Sequence, residues 1–164
     1  MQAKRHGFLA AAVLAGIAAL TFAAIASGDH GHGKGGKIFR SSLAPSQPTD
    51  PAFHTVAPGG AAWILDQGSV KIGRNGHFDL RVRGLVLTAT GTARPVLTVS
   101  ASLFCGADAT VTPAATTGQV PISPDGDARI HQKVTLPATC LAPIVLVHPN
   151  GGLTRYISVT GWRR

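Results

Sequence analysis

The 164-residue chain contains no glutamate; its seven acidic residues are all aspartates, Asp29, Asp50, Asp66, Asp79, Asp108, Asp125 and Asp127. Paired-carboxylate hydrolysis therefore has few candidate groups. Asp66, Asp108, Asp125 and Asp127 sit in turn-like stretches, where aspartate serves local backbone hydrogen bonds. Asp125-Gly126-Asp127 lacks the further oxygen ligands of a calcium loop. Cysteine is confined to Cys105 and Cys140, with no C-x-x-C and no histidine at ligand spacing from either, which argues against a structural zinc site. The G-x-S-x-G nucleophile motif is missing. His54, His77, His131 and His148 are scattered over separate segments, as exposed or capping histidines are. Aromatic residues make up 5% of the chain, and no dense Lys/Arg cluster is interleaved with them, so specific nucleic-acid binding is not expected. After residue 60 no stretch has the 3.6-residue period of a helix, and so no helix is there for a phosphate-cradling loop to open. These absences point away from an enzyme.

What is present begins with an export pattern. Lys4-Arg5-His6 precedes an apolar run from Phe8 through Ile25, which ends in Ala24-Ile25-Ala26 before Ser27. This order of basic, apolar and small residues predicts a signal helix over residues 1–26, removed by cleavage, and a secreted, extracellular product. An uncleaved anchor is the alternative, because Phe8 to Ala26 approaches the roughly 20 residues that span a bilayer. The Ala-rich composition and the cleavage site favour removal, with no transmembrane segment left afterwards. The net charge of +8 then becomes +6, since Lys4 and Arg5 depart (8 − 2). A basic balance in an exported protein predicts affinity for an anionic cell-wall polymer or polysaccharide. In an oxidising compartment Cys105 and Cys140 are expected to pair.

Residues 27–60 read as a flexible linker. Gly28 to Lys37 is dominated by Gly and His, and Pro45, Pro48, Pro51 and Pro58 follow among Ser and Thr, a composition poor in the apolar surface that offsets ordering entropy. From Ala61 to Arg164 short apolar runs alternate with turns. Expected strands are 61–65, 69–72, 77–82, 85–87, 96–105, 118–122, 129–136, 144–148 and 155–162. Asn75-Gly76, Pro124-Asp125-Gly126 and Pro149-Asn150-Gly151-Gly152 supply the turn chemistry between them. Many short strands at regular turn spacing predict an all-β domain, an immunoglobulin-like antiparallel β-sandwich, with a small β-barrel as the alternative. The period of two assigns Phe78, Leu80, Val82, Leu97, Val99, Leu103, Val134, Leu136, Val145 and Val147 to the core, and leaves Asp79, Arg81, His131 and Lys133 exposed.

The Ala-rich leader, the Pro/Gly stretch, the strand Ala62-Trp63-Ile64-Leu65, the run Leu80-Arg81-Val82-Arg83-Gly84-Leu85 and the segment Val99-Ser100-Ala101-Ser102-Leu103-Phe104-Cys105 carry a further hint. Over residues 57–162 the chain resembles the uncharacterised small exported β-sandwich proteins of high-GC actinobacteria. That resemblance implies export and an all-β fold, and no activity.

Two ligand sites are suggested by residue type. His30-Gly31-His32 lies just behind the expected new N-terminus, where a free amine, backbone amides and imidazoles form the square-planar nitrogen set that suits Cu or Ni. Alternation over the last strand places Tyr156, Ser158, Thr160 and Trp162 on one face, opposite Ile157 and Val159. Such a row of aromatics and hydroxyls is what a glycan-binding surface uses. The sequence thus predicts a non-enzymatic exported β-domain acting by surface interaction at the cell envelope, with a carbohydrate-binding module and a Cu/Ni binder as the alternatives.

Overall fold

The computed structural model describes residues 36–108 and 111–163. The expected signal segment, the first part of the linker, and His30 and His32 lie outside the described residues. Thirteen strands follow one another: β1 (Lys37–Pro45), β2 (Ala57–Pro58), β3 (Trp63–Ile64), β4 (Gln67–Gly73), β5 (His77–Arg83), β6 (Val86–Leu87), β7 (Thr98–Phe104), β8 (Ala115–Thr116), β9 (Val120–Pro121), β10 (Ala128–Lys133), β11 (Ile144–Pro149), β12 (Arg155–Tyr156) and β13 (Ser158–Thr160). No helix occurs among the described residues.

The main sheet runs β10-β5-β4-β1-β13-β11-β7-β8, with β9 also on β7, and all its pairings are antiparallel. It works as two half-sheets that share β1. The first part of β1 pairs with β4, as in Arg40↔Lys71 and Ser42↔Ser69, and its last residues pair with β13, as in Leu43↔Thr160 and Pro45↔Ser158. The sheet curls about that shared strand, so that the inner faces of the halves enclose one core. Val70, Ile72, Phe78, Leu80, Val82 and Ile130 come from one half, and Val99, Ala101, Leu103, Val145, Val147 and Ile157 from the other. The architecture is the expected all-β antiparallel one, a sandwich bent part of the way towards a barrel. Gly118 N–H donates to Gln132 Oε1 on β10 at 2.7 Å, a side-chain link across the gap where a barrel would close.

The linker expectation fails from Lys37 onward. Lys37–Pro45 is the strand that joins the two half-sheets, and residues 46–60 cover the outer side of β7, β11 and β13. Val56, Phe104, Leu146, Tyr156 and Val159 bury one another there, with Phe53 and Ile144 packed against them. The prolines allow this, because Pro48 and Pro51 lie outside any ladder, and in the short parallel β2–β12 pairing the bonds come from Ala57 and Gly59 N–H on either side of Pro58. Its one hairpin turns at His54-Thr55, which take φ of 51° and 65°, between the mutually bonded Phe53 and Val56. His tolerates that region better than most residues, whereas the β-branched Thr55 does not favour it. The His54 ring stacks on Phe104 at 4.8 Å between centroids, a contact that helps to hold the turn.

Glycine is required where Asn75-Gly76 closes β4 onto β5. Gly76 has φ of 82°, and a Cβ there would fall 2.2 Å from the Val134 carbonyl oxygen. The Asn150-Gly151 turn is likewise left-handed at both residues, and Asn150 Oδ1 accepts from Leu97 N–H at 2.8 Å and Thr98 N–H at 3.2 Å. Those bonds end the run before β7, and Leu97 departs from expectation. It precedes the paired residues and is 57% exposed, while Val96 turns inward. Val134 and Leu136 lie beyond the end of β10 and are half-buried against the core. Phe78, Leu80, Val82, Val99, Leu103, Val145 and Val147 are buried as expected. Cys105 and Cys140 form the expected disulfide, with Cα atoms 5.1 Å apart.

His54 and His148, expected at the surface or in caps, are both buried. Burial pushes the His148 imidazole below its usual 6.5, and the hydrogen bond from Nδ1 to the Arg155 carbonyl (2.8 Å) opposes that only in part. The folded protein therefore holds His148 neutral where the unfolded chain protonates it. Stability from this group is complete above pH 6.5 and declines as pH falls from 6.5 towards the lowered folded value, at up to about 1.4 kcal/mol per pH unit for one proton. Urea midpoints measured from pH 7.5 to pH 5 should fall in the native protein and fall less steeply in His148→Gln. Equal slopes would show that another group sets the dependence.

Candidate functional site

The outer face of β10-β5-β4-β1 carries the side chains that the core rejects. Each of these strands alternates, and the in-register pairing lines up the outward residues. One row across the sheet reads Ser42, Ser69, Arg81, Arg129; the next reads Arg40, Lys71, Asp79, His131; a third brings His77 against Lys133. Gln67 stands opposite Arg83 at one end. Arg40, Lys71, Arg81, Arg83, Arg129 and Lys133 thus share a face with Asp79, and Asp127, whose carboxylate accepts a hydrogen bond from Gly84 N–H, borders it beside Arg81, Arg83 and Arg129. Asp79 is already engaged, since its carboxylate meets His131 Nδ1 across the β5–β10 pair. Among the described residues none of the six cations has a hydrogen-bonded or ion-paired partner for its charged group, whereas Arg163 donates from Nη2 to both Asp50 carboxylate oxygens and Arg155 donates to the Pro58 carbonyl.

Two of the cation pairs stand directly opposite one another, Arg81 against Arg129 and Arg40 against Lys71. Adjacent strands lie ~4.8 Å apart, and like charges at such positions oppose sheet formation. Nothing in the local packing requires charge there, because Ser69 and Ser42 fill the same kind of position in the same row. Arg81 was individually legible as an outward residue, and the strand Leu80-Arg81-Val82-Arg83 showed the alternation. The cluster was not legible, because it is assembled from four strands spread over about a hundred residues of chain. As expected, Arg81, His131 and Lys133 are exposed; Asp79 is half-exposed beneath His131.

The aromatic–hydroxyl row expected over the last strand is not a surface. Tyr156 and Ser158 are fully buried, Thr160 is half-buried and accepts a hydrogen bond from Val145 N–H, and Trp162 alone of the four is exposed. The alternation breaks at Ile157, where β12 ends before β13 begins, so that Tyr156 and Val159 pack in one cluster and Ile157 in the other. Tyr156 donates its hydroxyl proton to the Pro51 carbonyl at 2.8 Å. Burial first, and then the charge of Asp50, push that phenol up to about 12 against the influence of Arg163, which keeps it protonated as the donor. Among the described residues no group of three or more His, Cys, Asp or Glu side chains is placed to hold a metal ion.

No protein-family model, curated protein or solved structure matches the chain. The basic face therefore stands on its geometry alone.

Proposed function

We propose that this protein is a non-enzymatic exported domain that holds an anionic polymer at the cell envelope, on the outer face of β10-β5-β4-β1. The observation that carries this reading is the pairing of Arg81 with Arg129 and of Arg40 with Lys71 across adjacent strands without acidic partners. Sheets place like charges opposite one another at a loss, and an anion from outside the chain removes that loss. The Cys105–Cys140 bridge agrees with an oxidising compartment. The face is open and shallow, as suits a polymer rather than a small molecule enclosed in a pocket.

Titration calorimetry with polyphosphate tests the reading. Affinity should fall roughly 50-fold between 50 and 200 mM salt if about four anionic groups are neutralised, by the release of condensed counterions. Arg81→Ala should weaken binding by at least tenfold, and Arg94→Ala, which removes the same charge from an exposed site outside these strands, should leave it within twofold. Binding that ignores salt, or equal losses in the two variants, would reject the face as the site.

A further inference from the structure

We propose that the polymer is a phosphodiester chain of small, non-aromatic units, with one phosphate seated between the guanidinium groups of Arg81 and Arg129. This deepens the polyanion reading above and rests on it. Three shallow cavities meet at Arg81. One, of about 420 Å³, is bounded by Ser69, Lys71, Asp79 and Arg129; the second extends towards Gln67 and Arg83; the third passes Arg83, Arg129 and the Asp127 carboxylate to Pro121. Together they form an open trough across the sheet, with Arg81 at its centre.

The unpaired cations trace a diagonal through that trough. Arg83 and Arg81 are two residues apart on β5, ~6.8 Å along the strand. Lys71 lies diagonally across from Arg81, one register step beyond Ser69, at roughly 7–8 Å. Arg40 stands directly beside Lys71 on β1. The track skirts Asp79, which His131 engages. Repeated single charges on a linear chain fit such a track, whereas a compact polyanion would cover Asp79 as well.

The donors select the anion. Arg129, Arg81 and Ser69 are consecutive in one row, so that two planar forks and a hydroxyl converge from different strands. A carboxylate presents two oxygens in one plane and is satisfied by one fork. A tetrahedral phosphate turns its oxygens in different directions and can take both forks, which is the use for which arginine exceeds lysine. The same face speaks against two other phosphate sources. Apart from Ile38 at the β1 bulge, no outward residue on the four strands is apolar, so nothing enters a lipid surface. No Phe, Tyr or Trp is among those outward residues, and the only outward rings are the His77 and His131 imidazoles, stacked on each other at 5.8 Å between centroids, which offer bases only a small platform beside the trough.

The full chain is to be titrated with four probes: a poly(glycerol phosphate) oligomer, hyaluronan and oligo-dT of matched charge, and phosphatidylglycerol vesicles. Poly(glycerol phosphate) should bind at least tenfold more tightly than hyaluronan or oligo-dT, with no retention on the vesicles. Arg81→Lys/Arg129→Lys, which keeps the charge and removes the forks, should lose at least tenfold towards poly(glycerol phosphate) and stay within twofold towards hyaluronan. Both side chains are exposed, so an unchanged urea midpoint certifies the fold of the variant. Equal, salt-sensitive binding of hyaluronan and poly(glycerol phosphate) would overturn the phosphate assignment and leave the polyanion reading standing. Binding of none of the probes would overturn both. Tighter binding of oligo-dT or of vesicles would replace the proposed chain by a nucleic acid or a lipid surface.

Discussion

Replacing Cys105 and Cys140 together by serine should destabilise the protein by about 4 kcal/mol, the loop-entropy value for a closed loop of about 36 residues. The bridge encloses β8, β9 and β10, and β10 has to leave the β7 half of the sheet and dock on β5 in the other half. A tether between the end of β7 and the segment after β10 restricts how far that excursion wanders in the unfolded chain. Urea denaturation of the oxidised protein, the reduced protein and the double variant should give one midpoint for the first and a common lower midpoint for the other two. A loss below about 1 kcal/mol would show that β10 docks without help from the bridge. A loss in the variant alone would trace to serine packing instead.

Phe78→Ala should cost about 3–5 kcal/mol, the range for removing a fully buried phenyl ring, while Leu97→Ala should cost less than about 0.5 kcal/mol, as surface changes do. Phe78 is completely enclosed, and Leu97 is 57% exposed beside the Asn150 turn. The contrast is informative because simple alternation ranks both as core residues. Comparable losses at the two positions would mean that β7 extends one turn further towards its N-terminus and that Leu97 packs inward.

Alternation made the interior legible wherever a strand is regular over its length. His77–Arg83 shows the pattern most cleanly, because every second residue is apolar and its partners on β4 and β10 obey the same rule. It misled at two places where the chain slips by one residue, before Thr98 and at Ile157, since such a slip changes faces without changing composition. The Gly/Pro-rich stretch was misread from Lys37 on for a different reason. Ordering it depends on a sheet surface provided by residues a hundred positions away, and low local hydrophobicity says nothing about that surface. Ile38-Phe39, Leu43-Ala44 and Val56 were the apolar signals within it. The candidate site was hidden by the same non-locality. Its basic residues are single letters in four strands, and they form a patch only once the register brings Arg81 to Arg129 and Arg40 to Lys71.

The place of β1 between β4 and β13 sets an order of events for the growing chain. Leu43 finds its partner only in Thr160, more than a hundred residues further along the chain. A ribosome adding about 5–20 residues per second supplies Gln67–Arg83 early, and so Lys37–Ser42, β4 and β5 can assemble as a meander while the remainder is still being made. The opposite half has no such head start, because β13 is both the strand joining it to β1 and the last to emerge. A nascent chain is thus held open until β13 has been made, and closure is a late, long-range step of the kind that slows β-rich folds.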